Sequence, residues 1–214
     1  MIPFAPEGTP FVLVPAVAGV LAWVCGYQPL AIVLWLIALA CISFFRDPKR
    51  ASNAPPEAVI APADGKVLSV GTAPESMVAL GCGRQISIFM SPANVHVNRA
   101  PVSGTVREAR HVDGRNFPAF RDKASELNEH SFVLVDSPWG PVAYKQIAGA
   151  LARRVVCDLA PGETIARGQR VGLIKFSSRV DLFLPTGAMV KVRPGERTRA
   201  GETVIAHFPA LEAP

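Results

Sequence analysis

No charged side chain occurs in the 38 residues from Gly8 to Phe45, and this run limits the possible folds more than any other feature of the chain. It contains two apolar segments, residues 10–25 and 29–45, separated by Gly26-Tyr27-Gln28. Two helices of about 15–17 residues would each be about 22–26 Å long, which is shorter than the roughly 30 Å bilayer core. The sequence predicts a tight or re-entrant two-helix membrane hairpin, with a buried hairpin of a soluble domain as the alternative.

The charges lie almost entirely after this run. All 22 Lys and Arg residues and 16 of the 17 acidic residues fall in 46–214, a surplus of six positive charges. Arg46, Lys49 and Arg50 follow the hairpin directly, and the positive-inside rule places them in the cytoplasm. The surplus suits an anionic membrane surface, and the scattered basic residues form no nucleic-acid-binding motif. We expect residues 1–50 to anchor a cytoplasm-facing domain of residues 51–214, with no nucleic-acid partner.

Short strand patterns separated by Gly and Pro turns follow a linker at Ser52–Pro56 and predict a mainly β domain, a barrel or a sandwich. The predicted strands are Ala58–Ile60, Gly65–Val70, Gln85–Met90, Gly104–His111, Ser131–Asp136 and Val142–Ile147. Period-two alternation also predicts a strand over Gly172–Pro185, interrupted by two serines. The polar stretch Asn116–His130 is expected to be a short helix or a lid loop.

Two internal repeats accompany these strands. Pro161-Gly162-Glu163 and Pro194-Gly195-Glu196 are each followed by a further glycine, at Gly168 and Gly201. Pro62-Ala63-Asp64-Gly65-Lys66-Val67 likewise matches Pro101-Val102-Ser103-Gly104-Thr105-Val106. Paired turns of this kind resemble barrel-sandwich domains of the lipoyl or biotinyl type. The predicted fold is therefore a barrel-sandwich-like β domain with an N-terminal two-helix apolar hairpin.

Cysteine and histidine spacing predicts neither a metal site nor a disulfide framework. The four cysteines include no Cys-x-x-Cys pair, and two of them lie in the apolar run: Cys25, Cys41, Cys82 and Cys157. Three histidines have no partner at metal-ligand spacing and are expected to be surface or structural residues: His111, His130 and His207.

An acid, a histidine and a serine on separate β-segments could form a base-activated hydroxyl. Asp64, His96 and Ser178 are the candidates, in the segments APADGKV, SPANVHVNRAP and FSSRVD. In such a trio the histidine takes the hydroxyl proton and the acid holds the imidazole tautomer. Spacing alone leaves the alternative that Asp64 forms a turn, that His96 is an ordinary loop residue and that the serines mark a strand bend.

Six motifs occur in a fixed order along the chain: FFRDPKR, PADG, IFMSPANVHVNRAPVSG, DKASELNE, QIAGALARRVVC and GLIKFSSRVDLFLP. In this order they resemble the short bacterial form of the phosphatidylserine decarboxylase proenzyme family, from Phe44 to the last strand. The resemblance implies self-cleavage before Ser178 into a β-chain of residues 1–177 and an α-chain of residues 178–214, which stay together. It also implies conversion of Ser178 into a covalent pyruvoyl cofactor.

The resemblance further implies the reaction, the role of His96 as base and that of Asp64 as its partner, and we take His96 as the candidate proton donor in decarboxylation. The pyruvoyl group would form a Schiff base with phosphatidylserine, carbon dioxide would leave, and phosphatidylethanolamine would be the product. His96 would be the base in self-cleavage and the proton donor in decarboxylation, and Asp64 would orient His96. No metal is required. The protein would be an inner-membrane enzyme of phospholipid biosynthesis, and the sequence leaves open whether it is a homo-oligomer.

Several residues are candidates for contact with the lipid. Aromatic and basic side chains that could meet the phosphate head group are Phe117, Phe120, Lys123, Arg153 and Arg154. Solvated surface charge is the alternative for the basic ones.

Residue 177 departs from the family pattern, which has FGSRVD where this chain has FSSRVD. A Cβ at this position restricts the backbone geometry that an acyl shift needs, so we expect Ser177 to slow self-cleavage. The alternatives are a tolerated variant, a substitution that traps the proenzyme, or cleavage before Ser177. An inactive or uncleaved relative that serves as a membrane-tethered barrel-sandwich module is the competing function. A lipoyl-type carrier is disfavoured, because Met189-Val190-Lys191 does not match its lysine motif.

Overall fold

The computed structural model describes residues 3–115, 117, 127–149, 154–175 and 178–209. The chain divides into two compact units, Met1–Lys49 and Arg50–Pro214.

The first unit is a two-helix hairpin, as the charge-free run predicts. A short 3₁₀ turn at Pro6–Gly8 leads into helix α1 (Thr9–Val24), and helix α2 is Gln28–Phe44. Gly26 makes the reversal with a φ of 85°, a conformation that favours glycine. The segment Pro6–Val24 is long and apolar enough to cross a membrane, whereas α2, at 17 residues, is shorter.

The two helices pack through a small residue and an indole ring. A Cβ on Gly19 of α1 would come within 2.5 Å of Trp35 Nε1 in α2, so only glycine permits this approach. Trp35 Nε1 also donates a hydrogen bond to the carbonyl oxygen of Ala16, at 3.3 Å. The surface of the hairpin is apolar: Val14, Leu21 and many similar side chains are more than half exposed. Such a surface is typical of an element that contacts lipid.

The second unit contains one short helix, α3 (Glu75–Val78), and fourteen strands within the described residues. The strands are β1 (Ala58–Ile60), β2 (Gly65–Thr72), β3 (Cys82–Met90), β4 (Val97–Arg99), β5 (Gly104–Val112), β6 (His130–Ser137), β7 (Gly140–Ala148), β8 (Val155–Cys157), β9 (Thr164–Ile165), β10 (Arg170–Ile174), β11 (Ser178–Pro185), β12 (Met189–Val190), β13 (Arg197–Thr198) and β14 (Val204–His207). The prediction of a mainly β domain is confirmed, and each of the six short predicted strands is present.

The strands form three antiparallel sheets. The largest has eight strands in the order β13-β2-β3-β11-β7-β6-β5-β9 and curls into a half-barrel. Two three-stranded sheets have the orders β1-β14-β12 and β4-β10-β8. The main core lies on the inner face of the half-barrel, where Val180, Leu182 and Leu184 of β11 are buried. Phe183 points to the opposite face and packs in a smaller cluster with Met77 of α3.

One predicted strand is wrong in its extent. The stretch Gly172–Pro185 is not a single interrupted strand, because β10 ends at Ile174 and β11 begins at Ser178. The two strands belong to different sheets. The chain therefore changes sheets between Ile174 and Ser178, and alternation in sequence cannot reveal this because it continues on both sides of the change.

The internal repeats of the sequence are structural repeats. Strand β13, after the second Pro-Gly-Glu turn, pairs with β2, and β9, after the first turn, pairs with β5. The registers correspond: Arg197 lies opposite Lys66, and Thr164 lies opposite Thr105. The two edges of the eight-stranded sheet are thus two copies of one structural repeat, β2 with β13 and β5 with β9. Each residue of one copy therefore has an equivalent residue in the other.

Candidate active site

Ser178 lies in the core, at the point where the chain enters the large sheet. It is the first residue of β11, is fully buried, and pairs with Met90 of β3 and Ala148 of β7. Its Oγ donates a hydrogen bond to the Sδ of Met90 at 3.2 Å. A thioether sulfur is a weak acceptor. The hydroxyl is therefore held by a partner from which it can be released at little cost.

His96 lies between β3 and β4 and is fully buried. Its carbonyl oxygen accepts a hydrogen bond from the backbone N–H of Ile174 at 3.3 Å, which places it beside the strand that leads to Ser178. The Nδ1 atom of His96 is 2.9 Å from the carbonyl oxygen of Asn94. A carbonyl oxygen can only accept, so Nδ1 carries the hydrogen. In the neutral ring, Nε2 is then the basic nitrogen.

A chain of buried polar side chains ends at the sulfur that binds Ser178. Ser131 Oγ donates to Gln146 Oε1 at 2.7 Å, and Gln146 Nε2 donates to Asn98 Oδ1 at 2.9 Å. These bonds turn the amide N–H₂ of Asn98 toward Met90, whose Sδ is 3.6 Å away. The three polar residues are each at most 1% exposed. Buried networks of this kind fix side-chain orientation, and this one fixes the surroundings of Ser178.

Asp64 lies in the turn before β2 and uses both carboxylate oxygens. Oδ1 accepts from the backbone N–H of Ala200 at 2.7 Å, and Oδ2 accepts from Arg50 Nη2 at 2.9 Å. Among the described residues, neither oxygen bonds to His96. The orientation of His96 by Asp64 therefore stays a prediction, and in this structure the Nδ1 atom of His96 is oriented by a main-chain carbonyl.

The structural repeat separates two roles of Asp64. The equivalent residue in the other copy is Ser103, whose Oγ accepts from the backbone N–H of Arg167 at 2.9 Å, as Asp64 does from Ala200. A serine is sufficient to hold the turn. The alternative that Asp64 is only a turn former therefore explains one of its oxygens and leaves the charge and the bond to Arg50 unexplained.

Two of the candidate lipid-binding residues lie near Ser178 in the fold. Both backbone polar groups of Phe117 bond to the Asn128 side chain, which also donates to the carbonyl oxygen of Ala148, the pairing partner of Ser178. The carbonyl oxygen of Arg154 accepts from the backbone N–H of Lys175, three residues before Ser178. The three other lipid-binding candidates, Phe120, Lys123 and Arg153, lie outside the described residues, as does Ser177 of the predicted cleavage site.

The face of β11 opposite Ser178 carries a buried ion pair. Arg179 Nε donates to Asp181 Oδ1 at 2.5 Å, and Arg179 Nη2 donates to Ser87 Oγ at 2.9 Å. Arg179 is 5% exposed, and Asp181 is fully buried. In the sequence these two residues appear only as part of the FSSRVD motif. The structure shows that they hold the beginning of β11 in the sheet.

Sequence reasoning missed Met90, Asn94, Asn98 and Arg50 as parts of the site. Met90 and Asn94 bond directly to the candidate residues through side chain and main chain. A signal was present for Asn98, since an amide within an apolar strand pattern indicates a buried polar contact. None was present for Arg50, which looks like an ordinary basic residue after a membrane segment.

The chain is similar to known proteins over most of its length. The family model described as phosphatidylserine decarboxylase matches residues 37–206. The phosphatidylserine decarboxylase proenzyme of Magnetococcus marinus is 44% identical, over 98% of this chain and 97% of its own length. Those of Desulfotalea psychrophila and Burkholderia cenocepacia are 40% and 41% identical, over 97% and 95% of both chains respectively. The similarity thus covers both units and every described residue of the candidate site.

Proposed function

Because this chain belongs to the phosphatidylserine decarboxylase family, we propose that it cuts itself before Ser178 and decarboxylates phosphatidylserine to phosphatidylethanolamine with a pyruvoyl group made from that serine. The observation that carries the proposal is the buried Ser178 hydroxyl at the start of β11, held only by the Met90 sulfur among the described contacts of its side chain. A nucleophile with a weak partner, in a pocket closed to water, is suited to attack its own backbone.

Self-cleavage would proceed through an ester, an elimination and a hydrolysis. The Oγ of Ser178 attacks the carbonyl carbon of residue 177, and its proton passes to Nε2 of His96. His96 then gives this proton to the nitrogen of residue 178 as the C–N bond breaks, which leaves an ester and a free amine. Loss of the Ser178 Cα proton then breaks the Cβ–O bond, which releases the carboxylate of residue 177 and leaves dehydroalanine. Addition of water and release of ammonia give the pyruvoyl end. His96 is proposed for this role because its Nδ1 hydrogen is committed to Asn94, which leaves Nε2 as the nitrogen that can accept a proton.

The surroundings of Ser178 fit the cofactor that would form there. Met90 contacts Ser178 and is in turn contacted by the Asn98 amide, and neither side chain is a nucleophile that would consume a ketone. When formed, the pyruvoyl group supplies a carbonyl that condenses with the substrate amine and accepts the electrons released with carbon dioxide. His96 is proposed to return the proton to the substrate carbon, and Asp64 to hold His96 during the reaction.

The fold supports an intact two-chain product. Residues 178–214 contribute β11 to the middle of the large sheet, between β3 and β7, and also provide β12, β13 and β14. Of these strands, β14, β13 and β11 pair with β1, β2 and β3 of the preceding chain. The two chains would therefore remain one folded unit after the backbone is cut.

The apolar hairpin is proposed to hold the enzyme at the membrane that contains its substrate. Its exposed apolar side chains would contact lipid tails, and Arg46 and Lys49 at its end would lie on the cytoplasmic side of the inner membrane. A two-chain lipid does not leave the bilayer readily, so an anchored enzyme meets its substrate at the interface.

The test is intact-mass measurement of the purified full chain with a carbonyl-reactive probe. Chains of 177 and 37 residues, with the probe on the short one, are expected, together with carbon dioxide release from phosphatidylserine. A single 22.8 kDa chain that does not react with the probe would instead favour the uncleaved membrane-tethered module. Ser178→Ala is the matched control, since it removes the attacking oxygen and must remain one chain.

A further inference from the structure

The turn Ser91–Asn94 connects the partner of Ser178 to His96. The first residue of the turn directly follows Met90, which lies opposite Ser178 in the β3–β11 pair and accepts the hydrogen bond of the Ser178 hydroxyl. The last residue of the turn precedes His96 by two positions. The conformation of this turn therefore determines where the His96 ring lies relative to Ser178.

Three hydrogen bonds close the turn. The backbone N–H of Asn94 donates to the carbonyl oxygen of Ser91 at 2.9 Å. The Oδ1 atom of Asn94 accepts from the backbone N–H of Ser91 at 2.9 Å and from the Ser91 hydroxyl at 2.7 Å. Serine is favoured at the first position of a β-turn and proline, here Pro92, at the second. Because two of the three bonds end on one side-chain oxygen, the Asn94 side chain controls the conformation of the turn.

The main chain of Asn94 holds the imidazole of His96. Its carbonyl oxygen accepts the hydrogen of Nδ1, with 2.9 Å between the oxygen and the nitrogen. Val95 and His96 are both buried, so water has little access to compete for this bond. The hydrogen bond made by one ring nitrogen of a histidine sets which nitrogen carries the hydrogen. The turn thereby leaves Nε2 as the basic nitrogen.

Both carboxylate oxygens of Asp64 are used elsewhere in this structure. Oδ1 accepts from the backbone N–H of Ala200, and Oδ2 accepts from Arg50. A carboxylate beside an imidazole stabilises the charged ring, whereas a carbonyl oxygen has no net charge to do so. Asn94 therefore fixes the tautomer without strongly stabilising the protonated ring. This suits a group that must take the Ser178 proton and then give it to the leaving nitrogen.

The same arrangement occurs a second time in the chain. Nδ1 of His130 is 2.8 Å from the carbonyl oxygen of Asn128, again the residue two positions earlier. The Asn128 side chain is likewise bonded, to the main chain of two other segments. Pairing through Ile147 places His130 in register with Arg179, on the face of the sheet opposite Ser178. His130 is therefore an internal reference whose tautomer is fixed in the same way, outside the candidate site.

We propose, on the basis of the proposed function, that Asn94 is a positioning residue that acts through His96. Its side chain closes the Ser91–Asn94 turn, and its carbonyl oxygen fixes the tautomer in which Nε2 takes the proton of Ser178. Without the side-chain oxygen the turn opens, the hydrogen can move to Nε2, and the base is lost. This role precedes the one proposed for Asp64, which concerns the reaction itself.

The first test follows the rate of self-cleavage by the mass of the full chain over time. Asn94→Ala should slow the reaction about tenfold to a hundredfold, as expected for losing two hydrogen bonds that hold the turn. Asn94→Asp keeps the accepting oxygen and should cleave at close to the wild-type rate. Ser91→Ala keeps its backbone N–H and should slow the reaction less, about threefold to tenfold.

The second test reads the tautomer directly by nitrogen-15 NMR of the histidine rings at about pH 8, where an ordinary imidazole is neutral. The full chain is measured in neutral detergent with Ser178→Ala, which keeps it in one piece. His96 should carry its hydrogen on Nδ1, and adding Asn94→Ala should produce the form with the hydrogen on Nε2. Adding Asn94→Asp should not. The His130 signals should stay the same in all three proteins.

The matched control is Ser137→Ala, which removes two comparable bonds from the β6–β7 hairpin. Ser137 Oγ donates to the carbonyl oxygen of Gly140 and accepts from the backbone N–H of Trp139. This variant should change neither the cleavage rate nor the His96 tautomer. Equal slowing by Ser137→Ala and Asn94→Ala would overturn the proposal, because any loosened turn would then have the same effect.

Three further results would overturn the proposal. They are a wild-type rate in Asn94→Ala, an Asn94→Asp variant as slow as Asn94→Ala, and a slow Asn94→Ala variant whose His96 tautomer is unchanged. A change at His130 together with His96 would also do so, since the effect would then be global. If the wild-type chain is not cut, the proposed function fails, yet the tautomer in the Ser178→Ala background still supports or overturns the positioning of His96 by Asn94.

Discussion

Arg50 and Asp64 form a buried ion pair with 2.9 Å between Arg50 Nη2 and Asp64 Oδ2, and their side chains are 8% and 11% exposed. Removal of one partner leaves the other charge in the interior without compensation. We expect Arg50→Met to lower the free energy of unfolding by about 3 kcal/mol and Arg50→Lys to lower it by less. Denaturant unfolding of the full chain in detergent measures both.

The control for this pair is the exposed ion pair of Arg107 and Asp136, whose side chains are about half exposed. Arg107→Met should cost no more than about 1 kcal/mol, because water screens exposed charges. If Arg50→Met and Arg107→Met lowered the free energy of unfolding equally, the buried ion pair of Arg50 and Asp64 would be no more stabilising than an exposed one. If Asp64 acts on His96, Arg50→Met should also change the rate of self-cleavage, whereas Arg107→Met should leave that rate unchanged.

Ser177→Gly is expected to accelerate self-cleavage about tenfold to a hundredfold, since strained backbone geometry at such sites costs about 1–3 kcal/mol without glycine. Ser177→Ala separates the effect of the Cβ from that of the hydroxyl and should be as slow as the wild type. The rate is followed by the mass of the intact chain over time. Equal rates for all three would mean that Ser177 is a tolerated variant. A short chain of 38 residues would show cleavage before Ser177.

Asn98→Asp is expected to give self-cleavage a new dependence on pH. The Asn98 amide donates toward Met90, and an ionised carboxylate cannot donate there, whereas a protonated one can. Burial raises the pKa of a carboxyl group. The variant should therefore cleave only at acidic pH and lose the reaction as pH rises. Asn98→Leu, which can never donate, should be slow at every pH. Profiles of the same shape for both variants would show that the amide has only a structural role.

His130 is expected to make the folded protein less stable in acid. Its burial lowers the pKa of its imidazole, and the nearby Lys145 lowers it further. The unfolded chain then binds the proton more strongly than the folded one, so the free energy of unfolding falls as pH drops below about 6.5. His130→Gln should reduce this slope between pH 7 and pH 5, measured by denaturant unfolding at each pH. An unchanged slope would assign the acid sensitivity to other groups.

The sequence predicts the hairpin and the short strands well because each depends on local pattern. A run without charges has few stable structures besides apolar helices, and six strands follow from alternation between turn residues. The repeats in the Pro-Gly-Glu and Pro-x-x-Gly-x-Val turns even indicate the equivalence of the two sheet edges. The alternation of apolar and polar residues does not indicate which sheet a strand joins. The separation of β10 and β11 into different sheets is therefore seen only in the structure.

Motif resemblance proposes three residues of the candidate site, but it predicts neither the residues that surround them nor the bonds among them. Ser178, His96 and Asp64 follow from motif resemblance, which records residue types in order. The bond from Asp64 to Arg50 and the bond from Asn98 to Gln146 depend on strand register and on how the chain returns to the turn at Ala200. Register is fixed by the whole sheet, so no local stretch of sequence specifies these contacts.

The buried pair of Arg179 and Asp181 is expected to hold the start of the short chain in place after cleavage. Residue 178 would then be a chain end, and its neighbour Arg179 bonds to Asp181 and to Ser87 of β3. Arg179→Met alone leaves Asp181 charged in the interior and should cost about 3–5 kcal/mol. Arg179→Met with Asp181→Leu removes both charges and should be much closer to wild type. A tag on the short chain shows by pull-down whether the long chain is retained. If the single variant retains it as well as the double one does, the pair does not hold the cut end.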